Sequence, residues 1–145
     1  MLSFIAIIIS IVGVLNYNGI LPPKAMPNIQ AEYSIKYNNE TALYRITLKN
    51  IGSTEATNLK IKVSFPKNII ITDYTKSDEP EITGGGSCLN ITYLEFLNGD
   101  TTPITIIFKL DNTSFIDGKS WNIDTKPFIW TNENKQITDV KLVDW

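Results

Sequence analysis

Apolar and polar residues alternate with a two-residue period through much of this chain. Ala31, Tyr33, Ile35 and Tyr37 alternate with Glu32, Ser34 and Lys36, and Tyr44, Ile46 and Leu48 alternate with Arg45, Thr47 and Lys49. Leu59, Ile61, Val63 and Phe65 do the same against Lys60, Lys62 and Ser64 until Pro66, which cannot donate to a ladder, ends the run. Successive side chains of a strand point to opposite faces, so each run predicts a half-buried strand with its apolar set on the core. Asn38-Asn39-Glu40 and Asn50-Ile51-Gly52 carry turn chemistry between the runs. Further strands are predicted over residues 69–72, 89–96, 104–110, 121–130 across Pro127, and 137–143. No part of this region sustains a helical period or an internal repeat. The fold expected is all-β, an Ig-like antiparallel β-sandwich of about seven strands.

Ahead of these strands the alternation is absent. Residues 1–21, MLSFIAIIISIVGVLNYNGIL, contain no charged side chain. As a helix, Leu2 to Leu21 would span about 30 Å, the thickness of a bilayer's hydrocarbon core. A cleaved signal peptide requires Lys or Arg before the apolar stretch and a small-x-small site after it; neither is present, and Asn16-Tyr17-Asn18 is a poor cleavage context. A buried core helix is the other reading, but a β-domain without further helices offers little to bury it against. The organisation expected is an N-terminal apolar transmembrane helix over residues 1–21, a linker over 22–28 and one β-sandwich domain over 29–145. Lys24 on the C-terminal flank, taken alone, favours a cytoplasmic domain by the positive-inside rule.

Charge and residue usage remove several function classes. Thirteen Lys and Arg against 15 Asp and Glu give a net charge of −2, with lysines spread singly along strands, so no nucleic-acid partner is expected. One cysteine, Cys88, excludes an internal disulfide. Beside Gly84-Gly85-Gly86 it reads as a partly buried thiol, with an intermolecular bridge or a lipid site as the functional alternative. The absence of histidine excludes a His-based triad, an imidazole base and the two-histidine copper site of cupredoxins. Asp78, Glu79 and Glu81 in one loop and Asp111, Asn112 and Asp117 in another could offer oxygen ligands to calcium, but without EF-hand spacing they read as solvated loop acids. The glycine run lacks the lysine and following helix of a phosphate loop. No catalytic, cofactor or metal residue is assigned, and neither an enzyme, a cofactor nor a small-molecule substrate is expected.

The aromatic residues divide into two groups. Tyr33, Tyr37, Tyr44, Tyr93, Phe108 and Trp121 fall on the apolar phase and are expected to fill the space between sheets. Trp130 and Trp145 fall outside the cleanest alternation and are candidate partner contacts, as a sugar-stacking or protein-contact patch. Asn39, Asn90 and Asn112 carry the N-x-[ST] pattern and are candidate glycosylation sites.

Residues 48–69, LKNIGSTEATNLKIKVSFPKNI, place a strand ending in N-x-G, a small-residue turn and a strand closing in proline. Residues 93–110, YLEFLNGDTTPITIIFKL, place a leucine and a glycine-containing turn before another strand. In these features the chain resembles the CARDB-like and DUF11-like adhesion-related modules, Ig-like sandwiches of archaeal and bacterial surface proteins. The C-terminal third, with Trp121, Trp130 and Trp145, departs from that pattern. The resemblance implies adhesion, spacing or assembly without catalysis, in a domain outside the cell. Its partners would be the membrane, through residues 1–21, and another surface protein or an envelope polymer. Gly52 and the Asn98-Gly99-Asp100 turn are expected to use glycine's freedom at positive φ. An exposed sheet edge is expected to accept a partner strand, with the lysines of residues 59–65 guarding it if that strand is terminal. The alternative is a pilin-like filament subunit, which also joins an N-terminal hydrophobic helix to a β-sandwich head, although the basic prepilin-peptidase site is absent here.

Overall fold

A computed structural model describes residues 25–38, 40–77, 80–98, 103–113 and 123–145. The apolar segment 1–21 lies outside them, as do Asn39, Asp78, Glu79, Gly99 and Asp100 of the expected turn, Asp117 and Trp121; the described residues contain no helix long and apolar enough to cross a membrane. They form ten strands: β1 Ile29–Asn38, β2 Thr41–Asn50, β3 Ala56–Ser64, β4 Ile69–Lys76, β5 Glu81–Gly85, β6 Cys88–Phe96, β7 Ile104–Asn112, β8 Phe128–Thr131, β9 Lys135–Gln136 and β10 Val140–Leu142. Sheet A has the order β10-β1-β2-β7-β4 and sheet B the order β5-β6-β3-β8-β9.

The two-residue period becomes a two-sheet core. Tyr44, Ile46 and Leu48 of β2 and Ile106, Phe108 and Leu110 of β7 are buried from sheet A, and Leu59, Ile61, Val63, Leu89, Ile91 and Ile129 from sheet B. Full burial of one such side chain contributes about 1.5–3 kcal/mol. Tyr44 meets Phe65 edge-on with ring centroids 5.1 Å apart, joining the two layers. The result is an all-β, two-sheet sandwich, as the alternation predicts.

Several local expectations are corrected. The sandwich is not wholly antiparallel: β10 pairs in parallel with β1, Ala31 opposite Val140 and Tyr33 opposite Leu142. The predicted strand over 137–143 breaks because the chain leaves sheet B after β9 and joins sheet A at β10, with only Val140 of that strand buried. Strand β5 was not foreseen, since Glu81-Ile82-Thr83-Gly84-Gly85 has a single large apolar residue; it forms a hairpin with β6 in which Gly86, at φ 62°, takes the turn. Residues 123–127 are not a strand. Pro127 has no N–H to donate, and tyrosine hydroxyls hold the segment instead: Ile123 N donates to Tyr37 Oη at 2.8 Å, and Tyr44 Oη donates to the Thr125 carbonyl at 2.6 Å. Burial, then the neighbouring Tyr33, push the Tyr44 hydroxyl's pKa up, so it remains a proton donor.

The inward phase also fails along β1. Ser34 is buried while Tyr33 and Ile35 are half-buried and Tyr37 is 43% exposed, because only the three-residue β10 lies beyond β1 in the sheet. Tyr44, Tyr93 and Phe108 do enter the core.

Asn50-Ile51-Gly52 serves a different purpose from the one expected. Gly52 is not among the positive-φ glycines; its requirement is closeness, since a Cβ there would lie 2.3 Å from Asn28 N and 2.4 Å from the Met26 carbonyl oxygen. Asn50, 1% exposed, accepts at Oδ1 from Asn28 N and Gly52 N, both at 3.1 Å, and donates from Nδ2 to the Thr54 and Phe96 carbonyls at 3.0 and 3.1 Å. One buried amide thereby ties the segment before β1, the β2–β3 connection and the end of β6 together.

Candidate functional site

Sheet B turns a cation-lined aromatic surface to solvent. In the register of β3 with β8, Lys60 faces Trp130, Ile61 faces Ile129 and Lys62 faces Phe128. Ile61 and Ile129 point into the core, so their neighbours project outward on the opposite side of the sheet. Phe128 is 42% exposed and Trp130 half-buried. Lys60 Nζ lies 5.0 Å from the Trp130 ring centroid and Lys135 Nζ 5.4 Å from it. Across β3, Thr92 and Asn90 of β6 stand opposite Lys60 and Lys62, followed by Glu81 and Thr83 of β5.

The turn that ends β8 is fastened to β3. Glu133 accepts hydrogen bonds from Thr57 N at 3.0 Å and Thr57 Oγ1 at 2.6 Å, and Asn132 N donates to the Thr57 carbonyl at 3.0 Å. Desolvation acts to raise the Glu133 carboxyl, but the hydrogen bonds from Thr57 and the nearby Lys135 together hold it below the usual carboxylate range. The β8–β9 turn, and with it Lys135, is therefore positioned by a charge-assisted contact.

Trp145 does not belong to this surface. Its ring lies 4.5 Å from Arg45 Cζ, and Arg45 projects from the outer face of sheet A, because Tyr44 and Ile46 beside it are in the core. Val143 N donates to the Tyr33 carbonyl at 2.9 Å and leads the chain there. The two tryptophans that sequence reasoning groups as one patch thus sit on opposite outer faces. Phe128, which sequence reasoning left out, joins Trp130 instead; its i, i+2 spacing on a strand was the available signal.

The edge expectation needs a similar change. Strand β3 lies in the middle of sheet B, so Lys60 and Lys62 line a face and guard no edge. Edge strand β4 carries a register shift between Ile71 and Asp73 and five consecutive exposed residues from Thr72 to Lys76, features that blunt an edge against added strands.

The remaining candidates are dispersed. Cys88 is a free, half-buried thiol. Of the two expected acidic loops, Glu81 lies on strand β5 and Asp111 and Asn112 on strand β7, and among the described residues no group of three or more acids and cysteine is placed to hold a metal ion. A groove of about 530 Å³ between the start of β1 and residues 136–139 is lined by Gln30, Glu32, Gln136 and Asp139. It forms where the chain changes sheets.

The sequons differ in access. Asn90 is exposed on β6 with Thr92 on the same face, whereas Asn112 is half-buried and accepts a hydrogen bond from Asn68 Nδ2 at 3.1 Å. In a host that glycosylates, intact-mass and peptide mapping should find sugar on Asn90 and leave Asn112 unmodified; the reverse would show that strand exposure does not govern access here.

No protein-family model matches the sequence, and no curated protein matches it. Among solved structures, the chain is similar to the chitin-binding domain of a chitinase from Pyrococcus furiosus, with 12% identity, 77% of this chain and all of that domain covered, and a TM-score of 0.51. A solution structure of the chitin-binding domain of the Pyrococcus furiosus chitinase gives 13% identity, 81% and 98% coverage and a TM-score of 0.49. A non-cellulosomal cohesin from the archaeon Archaeoglobus fulgidus gives 9%, 79% and 88%, and 0.47. At these identities the likeness is one of fold.

Proposed function

We propose that this chain is a noncatalytic extracytoplasmic binding module, held to the membrane by residues 1–21, that serves in surface adhesion, envelope scaffolding or protein–protein interaction. The observation that carries the reading is the outer face of sheet B, where Phe128 and Trp130 stand exposed or half-exposed among Lys60, Lys62 and Lys135. Large rings and charges carried by hydrogen-bonded strands offer contact area at little entropic cost. The similar Pyrococcus domain is a chitin-binding one, which supports a polymer or ligand contact on this scaffold. Kinship with the CARDB-like surface modules belongs to the same proposal and rests on the N-x-G strand ending, whose asparagine closes the end of the sandwich.

Cross-linking on intact cells tests the face. A specific neighbour captured by the full-length chain should be lost in Trp130→Ala and kept in Trp145→Ala, since the two rings occupy opposite faces. Loss only with Trp145→Ala would move the contact to sheet A. A ladder of self-linked products in place of a distinct neighbour would favour the filament-subunit alternative.

A further inference from the structure

We infer that the outer face of sheet B takes an acidic, carboxylate-bearing polysaccharide; the inference rests on this face being the contact surface. Trp130 is flanked by β3 on one side and β9 on the other, and it is approached by an ammonium from each direction, Lys60 at 5.0 Å and Lys135 at 5.4 Å. A cation against an aromatic ring keeps its charge and much of its hydration. Trp130 therefore acts as a post that places two cations on the surface, and its ring is not the open stacking platform that the sequence suggests.

Lys62 adds a third cation beside Phe128, and neither Lys60 nor Lys62 has a carboxylate partner among the described residues. In a chain of net charge −2, Lys60 and Lys62, neighbours on the outer face of β3, select an anion locally. Phe128, 42% exposed, offers the apolar face that the C–H side of a pyranose ring needs, and Thr92 adds a neutral hydrogen-bonding group. A polymer of sugar acids presents all three complements: carboxylates, C–H faces and hydroxyls. An acidic protein fits less well, because protein interfaces place apolar residues at the centre and charges at the rim, whereas here Lys60 and Lys62 stand on β3, the central strand of the sheet.

Native gels cast with polygalacturonate, run on the full-length protein in detergent, test the inference, with hydroxyethyl cellulose as the neutral polymer. Retardation by polygalacturonate is expected at low salt and should fade as NaCl screens the contacts. Lys60→Ala/Lys62→Ala should weaken it by about tenfold or more, the scale of lost charge-assisted hydrogen bonds. Phe128→Ala should weaken it as well, while Lys36→Ala/Lys109→Ala on sheet A leaves it unchanged. Equal retardation by the neutral polymer, indifferent to the lysines but lost in Phe128→Ala, would overturn the acidic class and leave the face standing. No retardation by either polymer, with a protein neighbour still lost in Trp130→Ala, would overturn the polysaccharide and keep the binding-module reading. Retardation that no sheet B variant alters would sink both.

Discussion

Ile61→Asp is expected to abolish the cooperative unfolding transition in a urea titration followed by circular dichroism. Ile61 is 1% exposed at the centre of β3, between Ile91 of β6 and Ile129 of β8. A carboxylate there has no partner, and an uncompensated buried charge costs on the order of 3–5 kcal/mol. The lost apolar burial adds to this, against a total stability of about 5–15 kcal/mol for a domain of this kind. Lys60→Asp, one residue away, points to solvent and loses only the contact with Trp130, worth about 1 kcal/mol or less. Similar midpoints for the two variants would refute the inward and outward assignment of β3.

The second large effect is expected at Asn50. Asn50→Ala removes four hydrogen bonds at once, and the loss should be about 3 kcal/mol, since the Phe96 carbonyl is left buried while water can reach some of the others. Asn50→Asp separates the two halves of the network. It keeps an acceptor for Asn28 N and Gly52 N but sets a second oxygen against the Thr54 and Phe96 carbonyls. Repulsion and burial would raise that carboxyl's folded pKa above its unfolded value. The resulting stability is fully present below the unfolded pKa and is lost as pH rises through the folded one. Asn50→Asp should therefore lie closest to wild type in acid and fall behind it towards neutral pH. A pH series of thermal melts with a constant gap would show that Nδ2 contributes nothing specific.

The sequence by itself determined the class of fold. Alternation in residues 44–48, 59–65 and 104–110 needs only a strand's period and one apolar core to become inner-face side chains, and those segments are the central strands of the two sheets. It also marked Trp130 and the Asn50-x-Gly52 turn as special. What those residues do was decided by tertiary structure. Gly52 is required by the backbone of residues 26–28 passing within contact distance, a neighbour far away in sequence. Lys60 and Lys62 read as edge guards until strand order placed β3 in the middle of a sheet, and strand order depends on long-range pairing that no local pattern encodes. The same holds for the tryptophans. Whether two exposed rings form one patch depends on which sheet each strand or tail joins, and the chain's passage from β9 in sheet B to β10 in sheet A carries Trp145 to the face opposite Trp130. Periodicity sets which side of its own strand a residue occupies; only the packing of distant strands sets what lies on that side with it.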